Sequence, residues 1–377
     1  MRKLPITTIL LAAAAAFTAC SADDEANSRP PLRIPAAYDG TTFDANTTTQ
    51  LALLNQLNAL TNEAKLGRTP GVVVSYDNLT ALYNVGNPSL AEVSTPYFAA
   101  LVDGEGGWLY ELALSSGGTY TPGPPTGQGG TLGAYLFDEN GLELEQLVEK
   151  GQFGAVLYKH ATDLLAGPIS ASTVDQLVAI FGANPTFPNT PSAANTPRPD
   201  RAMANYAARR DKNDGKGLYT QMENAFIKLQ AAVNAGANYN KERDEAIAAL
   251  TLTWEKVNAA TIINYCHTTI SVLSSTNPTP AQVGNALHAY AEGVGFIHGW
   301  KTIPQQRKRI TDAEIDQLLV LFNAPAGEVP TSYRFATDPV NELPKLQEVI
   351  SRLQTLYGFT NQEIEDFRSN WVAQQGR

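Results

Sequence analysis

The chain has 377 residues, 43% of them hydrophobic and 17% charged, with a formal net charge of −10. That balance argues against nucleic acid as a partner and is compatible with cationic ones. Only Cys20 and Cys266 are present, so no disulfide framework is expected, and Cys266 reads as a buried, inert thiol.

In chain order, Arg2 and Lys3 precede an apolar run from Ile6 to Phe17 that holds five consecutive alanines. This is the design of a secretory signal over residues 1–19, and it is too short to span a bilayer. Thr18 and Ala19 before Cys20 resemble a lipobox, with Phe17 where Leu or Val is usual, so Cys20 is the expected site of cleavage and lipidation. Loss of Arg2 and Lys3 with the signal would take the charge from −10 to −12. Residues 20–34 are acidic, then proline-rich, and read as a tether. Its start, Ser21-Ala22-Asp23-Asp24-Glu25, is similar to the surface-export signal of Bacteroidota lipoproteins; a solvated linker with no address is the alternative. Residues 35–377 are then one helical domain, divisible into halves near 35–183 and 200–377.

Leu51, Leu54, Leu57 and Leu60 predict an amphipathic helix over 49–65. One or two short helices are expected within 88–114, and the Gly/Pro/Thr run 116–133 reads as loop. A helix over 142–165 opens after Asp138-Glu139-Asn140-Gly141 and closes at Gly167-Pro168. A shorter one follows over 173–181 with Ser172 as its cap, and five prolines make 184–199 an exposed loop. Further helices are expected over 216–235, 241–274, 280–301, 313–322, 340–357 and 362–374. Pro280 suits a first helical turn, Thr311 to Glu314 has the form of a capping box, and Ile247, Leu250, Trp254, Val257 and Thr261 ask for neighbouring helices. The fold class is therefore all-α, a multi-helix bundle with long Gly/Pro-rich loops.

All four histidines, His160, His267, His288 and His298, fall on predicted helices, where a structural role is the ordinary one. His288 stands apart because Gly284, His288, Glu292, Gly295 and Gly299 share one stripe of their helix. Side chains four apart lie one turn above each other, so His288 and Glu292 suit one metal ion or each other, and the glycines admit a close helix or ligand. An enclosed metal site needs more ligands, for which Glu255, His267, Glu145, Glu149 and His160 are the candidates. The sequence has no His-Glu-x-x-His, no Gly-x-Ser-x-Gly, no phosphate-binding glycine loop and no Cys-x-x-Cys. The basic cluster Arg307-Lys308-Arg309 reads as a solvated loop.

Three segments carry a resemblance: Asp138 to Gly141 with Gln146 to Ala155, Trp254-Glu255-Lys256-Val257, and His288 to Phe296. In order and approximate spacing they resemble a family of Bacteroidota lipoproteins, domain of unknown function 4856, across roughly 51–371. That family is similar in turn to the imelysins, helical envelope proteins linked to iron uptake and once classed as peptidases. The imelysin signature is His-x-x-Glu; here the spacing is His288-x-x-x-Glu292, a departure, and the proline-rich 184–199 replaces an aromatic, acidic segment of the relatives. The resemblance implies a non-enzymatic outer-membrane lipoprotein, surface-exposed in one reading, that binds a metal ion such as iron, or a metal-bearing ligand. Two alternatives stay open: a structural or partner-binding surface lipoprotein, and an imelysin-like metallopeptidase.

Overall fold

Local signals start most of the helices. Ser75, Ser89, Thr95, Ser170, Thr279, Thr311 and Thr360 each accept a backbone N–H two or three residues into a helix, which satisfies a donor that the helix itself leaves free. The capping box of Thr311 and Glu314 is formed as expected, and Pro280 occupies the first turn after the Thr279 cap. The cap of the helix Ala171–Phe181 is Ser170 and not Ser172, because the Ser170 and Thr173 hydroxyls close a reciprocal box.

A computed structural model describes residues 29–127, 129–190 and 198–377; Cys20, the signal and the acidic run lie outside the described residues. The chain is all-α, 63% helical, and a hairpin of Gly130–Leu132 with Tyr135–Phe137 is the only sheet among the described residues. That hairpin occupies the end of the run read as loop, and three helices, Leu90–Val93, Pro96–Val102 and Trp108–Ser115, fill the stretch where one or two were expected. Helices Tyr76–Asn84 and Ala202–Arg210 were not foreseen, and the last expected helix is broken into Asn361–Asp366 and Trp371–Gln375.

The long helix Asn240–Leu273 is the spine. Leu218–Ala235, Pro280–His298 and Pro339–Tyr357 pack along it, burying Leu250, Trp254, Val257 and Thr261 as their spacing demanded, while Ile247 at the start of the same series is half-buried. Each large apolar side chain buried in this way contributes on the order of 2–3 kcal/mol. The helix Thr48–Lys65 buries Leu53, Leu54, Leu57 and Leu60, and the main apolar core runs without a break from Tyr38 to Phe367. Arg29 pairs with Glu242 at 2.6 Å and lies over the Tyr239 ring, so the end of the proline-rich stretch docks on the start of the spine.

Both flanks of the proline-rich segment are also docked. Asn184, Phe187, Asn189 and Thr190 are buried, since Asp200 accepts the Asn184 and Thr190 amides. Nor is the basic cluster a solvated loop: Lys308 donates to the Trp300 carbonyl, and Arg307 donates to the Leu165 carbonyl. No helix among the described residues is long and apolar enough to cross a membrane.

Candidate functional site

The helix Pro280–His298 crosses the helix Leu144–Gln152 almost backbone to backbone. A Cβ on Gly295 would stand 2.7 Å from the Gln146 carbonyl oxygen, one on Gly284 would stand 2.6 Å from that of Leu132, and one on Gly299 would collide with Gly151. Gly284 and Gly295 inside the helix cost roughly 0.8–1.0 kcal/mol each relative to alanine, and the contact they allow offsets that cost. After Gly151 the partner helix widens into a π-helical turn, Phe153–Tyr158, with Gly154 against Gly299, before it resumes at Lys159–Leu164. The close crossing brings Glu143, Gln146 and Lys150 beside His288 and Glu292.

Around these residues lies a cleft of about 400 Å³, walled by the helices Thr48–Lys65, Leu144–Gln152, Ala202–Arg210 and Pro280–His298. His288 donates through Nδ1 to Glu143 Oε2 at 2.5 Å, its Nε2 stands 3.7 Å from Glu292 Oε2, and the Tyr135 ring stacks on it with centroids 4.1 Å apart. Arg68 binds Glu143 at 2.7 Å and also pairs with Glu145. Lys150 lies 2.9 Å from Glu149 and 3.3 Å from Glu292, Lys65 reaches Glu149 at 3.4 Å, and the Tyr206 hydroxyl donates to Glu292 at 3.4 Å. The result is a continuous, mostly buried chain of alternating charges.

Burial raises the Glu145 pKa, and the neighbouring Glu149 and Glu143 carboxylates raise it further against the pull of Arg68. Burial pushes Glu149 the same way, but Lys150 and Lys65 outweigh it and hold that carboxyl low. Desolvation likewise opposes the charge on Lys150, which Glu149 restores, so Lys150 stays protonated. Environments that push the affinities of adjacent carboxyls apart are typical of functional sites, although structural ion-pair networks do the same.

The other expected ligands go elsewhere. Glu255 accepts the backbone amides of Arg309 and Ile310, at 2.7 and 2.8 Å, and the Tyr357 hydroxyl at 2.6 Å. Burial and Arg368 lower the His267 pKa to about 4, and its Nε2 is buried without a partner. His160 meets the Gln50 amide at 3.0 Å, and His298 meets the Tyr97 hydroxyl at 2.9 Å while burial takes its pKa down to about 3. Cys266 is buried and its thiol pushed up by desolvation. No group of three or more His, Cys, Asp or Glu side chains among the described residues is arranged to hold a metal ion. Glu255 and His267, offered as further ligands, do not line the cleft that holds His288 and Glu292. Glu255 is saturated by amides, and the carboxylates beside His288 already face the fixed cations Arg68 and Lys150.

His288, Glu292, Glu145 and Glu149, all singled out from the sequence, do meet in one place. Glu143, Arg68, Lys65, Lys150, Tyr206, Arg201 and Arg209 were missed. Glu143 stands just before its helix, outside any periodic pattern, and Arg201 and Arg209 flank a helix that gave no clear signal. The adjacent Glu149-Lys150 pair inside a buried helix was the one available clue. No curated protein and no solved structure matches the chain. Residues 180–360, which contribute the Arg201, Arg209, His288 and Glu292 walls of the cleft, match the family model described as Domain of unknown function (DUF4856).

Proposed function

We propose that this chain is a non-enzymatic binding lipoprotein of the bacterial cell envelope, anchored at the outer membrane through acylated Cys20, that holds a small, metal-bearing ligand in the cleft beside His288 and Glu292. The observation that carries the reading is the cleft itself, a polar cavity of about 400 Å³ whose charged walls are fixed by buried partners before any ligand arrives. Removing that many charges from water is unfavourable for folding alone, and side chains preorganised around a cavity are what specific binding requires. The donor geometry favours a metal carried inside a ligand over a bare ion, because Lys150 and Arg68 stand where an ion would need the carboxylates.

The signal pattern before Cys20 supports the anchor, and the three motif segments support kinship with Bacteroidota lipoproteins and, at a greater distance, with imelysins of iron uptake. Calorimetric titration of the purified chain with iron(III), zinc(II) and haem tests the binding reading. Haem or chelated iron is expected to bind, and His288→Ala to abolish it while the apo protein melts as before. A wild type that binds none of these would defeat the metal-bearing ligand. For the anchor, Cys20→Ala should move the protein from the detergent phase to the aqueous phase, because the thioether-linked acyl chains supply the membrane affinity. Unchanged partitioning would refute it.

A further inference from the structure

The cleft's charges do not cancel evenly. The carboxylates of Glu143, Glu145, Glu149 and Glu292 face Arg68, Lys65 and Lys150, and burial together with the neighbouring Glu149 raises the Glu145 pKa. Asp200, also on the wall, turns to the Asn184 and Thr190 amides and the Tyr219 hydroxyl. Two guanidinium groups of the lining remain, Arg201 and Arg209. Arg209 lies over the Tyr206 ring, 5.0 Å from its centroid, with no ion pair or hydrogen bond among the described residues. Arg201 donates to the Asn55 side-chain oxygen at 2.9 Å and the Leu54 carbonyl at 3.0 Å, both neutral acceptors.

Asn205 and Arg209 lie four residues apart on the helix Ala202–Arg210, about 6 Å along its axis, and Arg201 stands immediately before that helix in an extended conformation. The Arg201 amide donates to the Gly182 carbonyl at 2.8 Å, and the following Ala202 takes a left-handed φ of 43°. A non-glycine residue in that region is strained, and such strain gathers where a side chain must be aimed. The Asn205 side-chain oxygen and that of Gln146, both on the cleft walls, are buried with no partner. The cavity thus offers two guanidinium groups with no ion pair among the described residues, of which Arg209 feels Glu292 and Glu149 at longer range, together with vacant amide acceptors, in a chain whose net charge is −10.

We propose that the cleft selects a small oxyanion that also carries a hydroxyl donor, a hydroxy-carboxylate or a phosphate-bearing solute, whose charge is met by Arg209 and Arg201. This rests on the reading of the cleft as a ligand site and names the chemistry of its ligand. Guanidinium groups pair with carboxylate and phosphate in a planar, two-point fashion, whereas a neutral ligand would leave them unpaired and a cationic one would be repelled. A metal enters such a site as part of an anionic chelate.

The test is calorimetric titration of the purified chain at low salt with citrate, inorganic phosphate, glucose and spermidine, the fold of each variant being checked by circular dichroism. Citrate or phosphate should bind, the two arms separating the carboxylate source from the phosphate source. Affinity should fall at least tenfold in Arg209→Gln and in Arg201→Gln, and should weaken as salt rises. Failure of both anions to bind, or binding that neither arginine substitution weakens, overturns the proposal. Glucose or spermidine binding that His288→Ala removes and Arg209→Gln leaves intact overturns the anion but keeps the cleft as a ligand site. No His288-dependent signal from any probe, iron and haem included, overturns both.

Discussion

Glu255 and Glu292 are both buried glutamates on neighbouring helices, and the fold treats them in opposite ways. Glu255 is enclosed by donors that belong to the protein, the Arg309 and Ile310 amides and the Tyr357 hydroxyl, so its charge fixes the 307–310 turn against the spine. Glu292 has a lysine at 3.3 Å, a tyrosine hydroxyl at 3.4 Å, a histidine nitrogen at 3.7 Å and the Tyr265 side chain beside it, and it borders a cavity. Burial alone therefore does not separate a structural carboxylate from one at a binding site. What separates them is whether short hydrogen bonds from the chain itself saturate the oxygens.

The comparison can be broken or sharpened by substitution. The largest effect is expected at the crossing that builds the cleft: Gly295→Leu places atoms where the Gln146 carbonyl and Leu147 lie, and overpacking should cost about 3 kcal/mol or more. Failure to express as a folded helical protein, read by circular dichroism, is the expected result; a variant with unchanged urea midpoint would show that the crossing is loose. Next, Glu255→Ala leaves two buried amides without an acceptor and should cost about 3 kcal/mol in urea unfolding. An equal loss in Glu292→Ala would erase the distinction between the two carboxylates.

A third effect is pH dependence. His298 is buried beside Trp108 and Tyr97, and its folded pKa of about 3 lies below the unfolded value near 6.5. The unfolded chain takes up the proton first, so stability should fall as pH drops below about 6.5 and continue to fall toward about 3, by ~2 kcal/mol at pH 5. His298→Gln should make that part of the profile shallower, His267 with its pKa lowered to about 4 supplying the slope that remains; wild type and variant losing stability in parallel would refute it. The smallest effect belongs to Glu292→Gln, because Lys150 keeps Glu149 at 2.9 Å. A stability change under about 1 kcal/mol is expected together with altered ligand binding, and a large loss would mean that Glu292 is structural after all.

The fold class and most helix positions were legible locally. Capping residues, the Pro280 start and the apolar spacing of the spine act within a few residues, and the chain obeys them. The interior role of the glycine stripe followed in the same way, since glycines that weaken a helix imply a close contact. Where such signals were weak the reading failed: nothing in Ala202–Arg210 marked a helix, because Arg201 gives it no side-chain cap and alanines blur its apolar face. The sequence offered His288, Glu292, Glu145 and Glu149 as candidates, but not the cations and the tyrosine that meet them. Glu255 and Glu292 look alike as residues on amphipathic helices, and only the packing of helices far apart in the chain set amides around one and a lysine, a histidine and a cavity around the other. Periodicity reports which face of a helix turns inward. Which groups meet that face is decided by contacts between segments as distant as Glu143 and His288, and these depend on how whole helices cross.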